Sequence, residues 1–311
     1  MLIAQITDIH IGFDKGNPDE HNMLRLRAVL DHLVNGPNRP DLLLLSGDLT
    51  EAGDPADYAR LAAAVSICPF PVWPMTGNHD RREPLRAAFP HTPPSPDGFV
   101  HYVLDFDAVS RGRLRLIVLD TLEPGRHGGG FCAGRAAWLT AQLNAAPDTP
   151  TVVALHHPPF TAGIPWMDTD EREPWIARLA AALRGHGQVK GLIAGHLHRT
   201  ILSHWEHLPV VVCPSTAPAV GLDLSPMDPE RPDNRKLITD EPPGYCLHLW
   251  NGKDVVTHFE YAGDYRTFAR FDTGLQGMIR EMFGETLDGK SGQRVVECLL
   301  NLAARGQRNQ C

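Results

Sequence analysis

The sequence predicts an α/β protein made of two packed mixed β-sheets, a β-sandwich, flanked by α-helices. Three observations carry this reading. Short apolar runs that end in polar residues recur along the chain, helical patterns lie between them, and two hairpin-like pairs break the alternation. Continuous apolar runs suit strands buried on both faces. Their alternation with helices gives layered sheets whose ligand site lies at the carboxyl ends of the strands.

Residues 2–7, 42–46, 72–76, 114–119, 152–155 and 192–194 read as strands. They end at Asp8, at Gly47-Asp48, at Gly77-Asn78-His79-Asp80, at Asp120, at His156-His157 and at Gly195-His196-Leu197-His198. Met23, Leu26, Leu30 and Leu33 recur at helical spacing after Asn22, which is expected to cap that helix. Asp54-Pro55 supplies a cap and a first-turn proline ahead of Tyr58, Leu61, Ala62 and Val65. Trp138, Leu139 and Leu143 mark a third helix, and Trp175, Ile176, Leu179 and Leu183 a fourth that stops at Gly185.

Residues 99–109 and 113–121 read as strands around Ser110-Arg111-Gly112, and 245–250 and 255–261 as strands around Asn251-Gly252. These two pairs are expected to supply the second sheet. Residues 225–244, rich in proline and charge, read as a long loop. Beyond residue 265 the pattern is helical (275–283, then 294–304), so the chain divides into a main domain, 1–264, and a helical tail, 265–311. The tail is expected to cover the core or to mediate self-association.

Composition narrows the function. With 29 Lys+Arg against 37 Asp+Glu, the 311-residue chain carries a formal charge of −8, and its 42% hydrophobic and 21% charged residues are those of a folded globule. Such a chain offers no field that would draw in nucleic acid or an anionic membrane, so the expected partner is a small molecule. The six cysteines form no C-x-x-C pair, which argues against thiolate metal sites and disulfide scaffolds. No basic stretch precedes the short apolar run of MLIAQITDIH, so no cleaved leader is expected. A cytoplasmic location follows as the expectation.

Asp8-x-His10, Gly47-Asp48, Gly77-Asn78-His79-Asp80, His156-His157-Pro158 and Gly195-His196-Leu197-His198 occur in that order, each at the end of an expected buried strand. Singly, each is weak. Together, across residues 1–200, the set resembles the calcineurin-like metallophosphoesterases, whose layered fold agrees with the one read from the pattern. The words D-I-H, G-D-L, G-N-H-D, H-H-P-P and G-H-L-H look most like bacterial class III cyclic nucleotide phosphodiesterases and glycerophosphodiesterases. Ser/Thr phosphatases carry G-D-x-V-D-R-G where this chain has Gly47-Asp48-Leu49-Thr50-Glu51-Ala52-Gly53.

The resemblance implies a two-metal diesterase in which metal-activated hydroxide attacks the phosphorus. Two ions about 3.5–4 Å apart make a nucleophile from water near neutral pH and stabilise the phosphoryl oxygens. By resemblance, Asp48 bridges the ions, Asp8, His10 and His198 complete one of them, and Asn78, His156 and His196 the other. Imidazole suits iron and zinc, while carboxylate and carbonyl oxygen suit manganese, so the set selects no single metal. Two divalent ions less Asp8, Asp48 and a hydroxide leave about one positive charge, which suits a diester monoanion.

His79 is expected to protonate the leaving group, with Asp80 and His157 as supports, and which of His156 and His157 is the ligand stays open. Asp120 reads as structural. Arg126 and His127, on the glycine-rich loop 123–132, are candidate substrate contacts, and Trp166 a candidate stacking residue. Residues 284–291 match a P-loop pattern but lack the strand–helix setting it needs. The expected substrate is a small phosphodiester, first a 3',5'-cyclic nucleotide. The alternatives are a glycerophosphodiesterase, a broad phosphoesterase or phosphonate monoesterase, and, from a different class, a silent metal-binding scaffold.

Overall fold

The computed structural model describes residues 1–108 and 112–267. The chain divides into two units, Met1–Ala262 and Gly263–Cys311. The expected tail helices, the P-loop-like stretch and most of the Ser110-Arg111-Gly112 turn lie outside the described residues.

The elements run β1 (Leu2–Ile6), α1 (His21–Asn35), β2 (Leu42–Ser46), α2 (Pro55–Val65), β3 (Val72–Met75), α3 (Arg82–Ala88), β4 (Tyr102–Ala108) and β5 (Gly112–Val118). They continue with α4 (Ala133–Ala145), β6 (Thr151–Ala154), α5 (Pro174–Leu183), β7 (Val189–Ala194), β8 (Ile201–Trp205), β9 (Leu208–Val212), β10 (Ala219–Val220), β11 (Ile238–Thr239), β12 (Gly244–Trp250) and β13 (Val255–Tyr261). One sheet has the order β13-β12-β1-β2-β3 and the other β4-β5-β6-β7-β9-β8, with a small β10-β11 ribbon. In each sheet the strands that lead to the motifs are parallel; the β13, β4 and β8 edges are antiparallel, and the β3 edge is parallel.

Two sheets with flanking helices agree with the expected class, but the hairpins are distributed differently. β4-β5 joins the six-stranded sheet and β12-β13 the five-stranded one. Each hairpin widens one sheet; neither makes a sheet of its own. The hairpin β8-β9 escapes the pattern because its turn is Glu206-His207, both left-handed (φ 48° and 67°), where Asn-Gly would have announced it. α3 escapes because it is short, contains Pro84 and buries only Leu85.

Alternation along the strands shows how the layers pack. Leu114, Leu116 and Val118 of β5 belong to the core shared with β1, β2, α1 and α2, whereas Ile117 and Leu119 face the core formed with α4 and α5. Val152 and Ala154 against Val153 and Leu155 repeat this two-sided pattern on β6. Asp54 caps α2 as expected, accepting from Ala56 N at 2.9 Å. Asn22 does not cap α1. It lies inside the helix, and its Nδ2 donates to the His10 carbonyl at 2.9 Å, a tertiary bond that overrides its capping preference.

A polar tie crosses the sandwich. Gln5 of β1 donates to Ser46 Oγ (2.8 Å) and to the Ala194 carbonyl (3.0 Å) of the other sheet. His248 donates from Nε2 to Gln5 Oε1 (2.9 Å) while its Nδ1 accepts from Thr257 Oγ1 (2.8 Å). Burial pushes the His248 imidazole down to about 3. The unfolded chain binds that proton near pH ~6.5 and the folded chain only near 3, so stability is complete above about 6.5 and is lost as pH falls through this window. His248→Gln, which retains a donor and an acceptor, is expected to flatten urea stability against pH by up to about 1.4 kcal/mol per pH unit. Parallel curves for the two proteins would refute this.

Candidate metal centre

The carboxyl ends of the parallel strands from both sheets meet at one edge, and six of the seven candidate ligands crowd there. Asp8, His10 and His198 form one group with ligand atoms within 4.8 Å of one another, and Asp8, Asp48 and His156 form a second; His156 and His196 meet in a third. Asp48 lies between the groups, its Oδ2 3.3 Å from His156 Nε2 and 3.7 Å from His10 Nε2. Asp8 Oδ1 lies 3.4 Å from His198 Nε2 and 3.7 Å from His156 Nε2.

Local backbone shape makes this convergence possible. Asp8 (φ 51°), His10 (52°), Asp48 (50°), His196 (72°) and His198 (52°) all adopt the left-handed conformation. Non-glycine residues rarely do so, and such outliers cluster at functional sites. Gly77 lets the β3 loop approach: a Cβ there would stand 2.2 Å from Asp48 Oδ1 and 2.4 Å from Asp48 N.

The hydrogen bonds fix which nitrogens face inward. Nδ1 of His10 donates to Glu51 Oε2 (2.8 Å), Nδ1 of His156 to the Ser46 carbonyl (2.8 Å) and Nδ1 of His198 to the Pro218 carbonyl (2.9 Å). Each partner only accepts, so each ring turns its Nε2 toward Asp8 and Asp48. His10 Nε2 and His198 Nε2 face each other at 3.3 Å. The buried Nε2 atoms of His156 and His196 have no hydrogen-bond partner among the described residues. Lone pairs so arranged repel one another unless a cation or a proton lies between them. The donor set therefore fits metal ions, with mixed imidazole and carboxylate ligands.

Electrostatics gives the same picture. Burial alone would raise Asp8 and Asp48, but His198 and His156 lower the first and His156 and His10 carry the second well below the usual carboxylate range. Burial would lower His156, yet Asp48 and Asp8 raise it to about 9, and Asp8 likewise raises His198 against burial. Burial, reinforced by neighbouring histidines, holds His157 and His196 well below the ordinary value. A proton on His156 and a divalent cation answer the same need, positive charge between two carboxylates.

The remaining candidates fall into place around this centre. His157 donates from Nε2 to Asn78 Oδ1 (3.2 Å) and accepts from Thr121 Oγ1 at Nδ1 (2.8 Å), so both its nitrogens are engaged. Asp80 accepts from Gly77 N (2.8 Å), Leu49 N (3.2 Å) and Tyr58 Oη (2.7 Å), tying the two metal-side loops together. Burial and the neighbouring Asp48 push Asp80 up to about 6. His79 donates from Nδ1 to the Glu51 carbonyl (2.8 Å), and its ring lies 4.7 Å from that of His10 at the cavity. His127 lines the same cavity, 4.8 Å from the His196 ring. Arg126 does not line it; its guanidinium pairs with Glu173 at 2.7 Å in a separate depression. Asp120 is a buried strut, held by Arg82 at 2.6 and 2.9 Å.

Glu51 is the main residue the sequence reading left without a role. Its position three residues beyond Asp48 was the available signal, but nothing local shows that it reaches back to His10. Thr121 and Tyr58 were missed for the same reason.

A family model described as calcineurin-like phosphoesterase matches residues 1–200. A probable glycerophosphodiester phosphodiesterase GpdQ of Arcobacter nitrofigilis is 31% identical over 85% of this chain and 94% of that protein. A cAMP/cGMP dual specificity phosphodiesterase of Mycobacterium tuberculosis is 35% identical over 69% of this chain and 67% of its own length. Among solved structures, a dimetal phosphatase from Danio rerio superposes with a TM-score of 0.55 at 14% identity, covering 83% of this chain and 98% of that one. GAP50, the anchor in the inner membrane complex of Plasmodium, gives 0.59 at 16% identity over 86% of each chain. At those identities the two structures speak for the fold alone. The extent of the family match and the two relatives together establish that the chain belongs to the calcineurin-like phosphoesterase family, as a metal-dependent phosphodiester hydrolase.

Proposed function

We propose that the protein hydrolyses small phosphodiesters, first among them 3',5'-cyclic nucleotides, with glycerophosphodiesters as the second reading. The observation that carries the proposal is the convergence of imidazole Nε2 atoms on Asp8 and Asp48 with every opposing Nδ1–H committed elsewhere. In this reading Asp8, His10 and His198 hold one divalent ion, Asn78, His156 and His196 the other, and Asp48 both. His156 is preferred to His157 as the ligand because both nitrogens of His157 are engaged. Iron, manganese and zinc all suit the donor set.

Bound ions supply a nucleophile drawn from water and positive charge beside the phosphoryl oxygens. The chain's own residues do the rest. His79, its Nδ1–H fixed on the Glu51 carbonyl, turns Nε2 to the cavity, where as the imidazolium it can give the Nε2 proton to the departing alkoxide and be left neutral, for about 10²–10⁴ in rate. His157 orients Asn78, Asp80 holds the loops of Asp48 and Asn78 together, and Glu51 orients His10.

The choice of diester over monoester rests on charge. Among the described residues no arginine or lysine lines the cavity, so beyond the ions only histidines stand near to meet the second charge of a phosphomonoester. Four described cysteines, Cys68, Cys132, Cys213 and Cys246, are free, which agrees with a cytoplasmic location. No described helix is long and apolar enough to cross a membrane.

With Mn²⁺ added, bis(p-nitrophenyl) phosphate is expected to be hydrolysed at least tenfold more efficiently than p-nitrophenyl phosphate, with about two metals per chain. A strong preference for the monoester would replace the diesterase with a phosphatase. Stoichiometric metal without turnover of either ester would leave a scaffold.

A further inference from the structure

The cavity in front of the centre has a volume of about 310 Å³. Its floor is the His and Asp cluster, and its walls come from residues outside the ligand set, on the loops that carry the motifs and on the β10-β11 ribbon. Phe13 stands 72% exposed at the mouth, Trp166 lies on the loop after β6, and Val220 and Ile238 are paired across the β10-β11 ribbon, Ile238 being 55% exposed. Val220 is buried, but the open Phe13 and Ile238 and the half-buried Trp166 beside a charged floor mark a surface that a ligand covers.

This wall is built in advance. Arg25 donates to the carbonyls of Thr216 (Nε, 2.7 Å) and Ala217 (Nη2, 3.1 Å), and Arg199 donates to that of Val220 (2.6 Å). The segment so clamped is the one whose Pro218 carbonyl orients His198. One polar group stands in the wall. Asn22 is buried and lines the cavity; its Nδ2 is committed to the His10 carbonyl, and its Oδ1 accepts no hydrogen bond among the described residues. It is a fixed acceptor beside an apolar face.

We infer that this wall is a nucleoside subsite, in which the base lies flat against Trp166 and Phe13, with Val220 and Ile238 at its edge, and Asn22 Oδ1 accepts from a sugar hydroxyl or a base amine. A glycerol or ethanolamine substituent has no planar apolar face to cover these rings. A base has one, and stacking on aromatic side chains is sequence-tolerant and strong. The inference rests on the diesterase reading and selects among its esters.

The test compares 3',5'-cyclic AMP with glycerophosphoethanolamine on Mn²⁺-loaded wild type, Phe13→Ala, Trp166→Ala and Trp166→Phe. Each alanine variant is expected to raise KM for the cyclic nucleotide about tenfold and to leave kcat and the KM for the glycerophosphodiester within twofold. Trp166→Phe, which keeps a ring, is expected to restore most of the loss. Calorimetry of AMP binding to the same loaded proteins, which needs no turnover, is expected to show the same ranking. Equal changes for both esters, or no change for either, would overturn the subsite. If wild type hydrolysed no diester yet bound AMP in a Trp166-dependent way, the diesterase reading would fall and the subsite would stand.

Discussion

Asp48→Ala is expected to lower diesterase kcat/KM by about 10³-fold or more and to reduce the metal content from two ions to at most one. Asp48 is the carboxylate between the two groups of nitrogens, 3.3 Å from His156 and 3.7 Å from His10. Among the described residues Glu51 is engaged with His10, Asp80 with backbone amides and Tyr58, and Asp8, the one other carboxylate in the cluster, already faces His198 at 3.4 Å and His156 at 3.7 Å. Without Asp48, the imidazoles that would share two ions lose the anion that keeps those ions together. Several kcal/mol of transition-state stabilisation then disappear, which is the stated factor. Thermal melting separates this from unfolding. Ions that bind only the folded state raise its melting temperature by mass action, so Mn²⁺ should stabilise chelator-treated wild type well and the variant poorly. Two retained ions with near-normal turnover would end the bridging assignment.

Gly77→Ala is the second large effect, and it involves no charge. The added Cβ would meet Asp48 Oδ1 at 2.2 Å, Asp48 N at 2.4 Å and His156 Nε2 at 2.7 Å. A carboxylate oxygen can swing aside, but a backbone nitrogen cannot, so the loops after β2 and β3 must part. Overpacking of this kind costs about 1–3 kcal/mol, or roughly 2–4 °C in Tm per kcal/mol for a chain of this size. Activity should suffer more than stability, because a displacement near 1 Å at a reacting centre costs about 10²-fold. Gly187→Ala, where an added Cβ meets nothing within 4 Å, should leave both unchanged. A Gly77→Ala enzyme as active as the Gly187→Ala control would show that the close approach has no bearing on the centre.

What was readable in the sequence was what covalent neighbours determine. A motif at a strand end stays at that strand end, so Asp8, His10, Asp48, Asn78, His156, His196 and His198 could be expected at the carboxyl edge without knowing the strand order. The sheet assignment of the hairpins could not be read, because β4-β5 and β12-β13 carry the same local signal and differ only in which strand they pair with. Asn22 showed the limit most clearly: its capping preference is local, whereas its actual partner is the carbonyl of His10. Glu51, Arg25 and Arg199 were invisible for a related reason. Each acts through a carbonyl or an imidazole brought near by the fold, and nothing in the neighbouring sequence records that partner.

The left-handed backbone at Asp8, His10, Asp48, His196 and His198 bears on how this protein would respond to selection. For an ordinary side chain that conformation costs about 1–2 kcal/mol, a penalty glycine escapes. A library screened only for thermal survival in chelator would therefore drift toward glycine and asparagine at these five positions and gain heat tolerance as it lost its metals. The same library screened with metal present and turnover required would be held at aspartate and histidine. Durability and chemistry thus compete at the same few residues, and thermostabilising substitutions are better sought in α4, α5 and the outer strands.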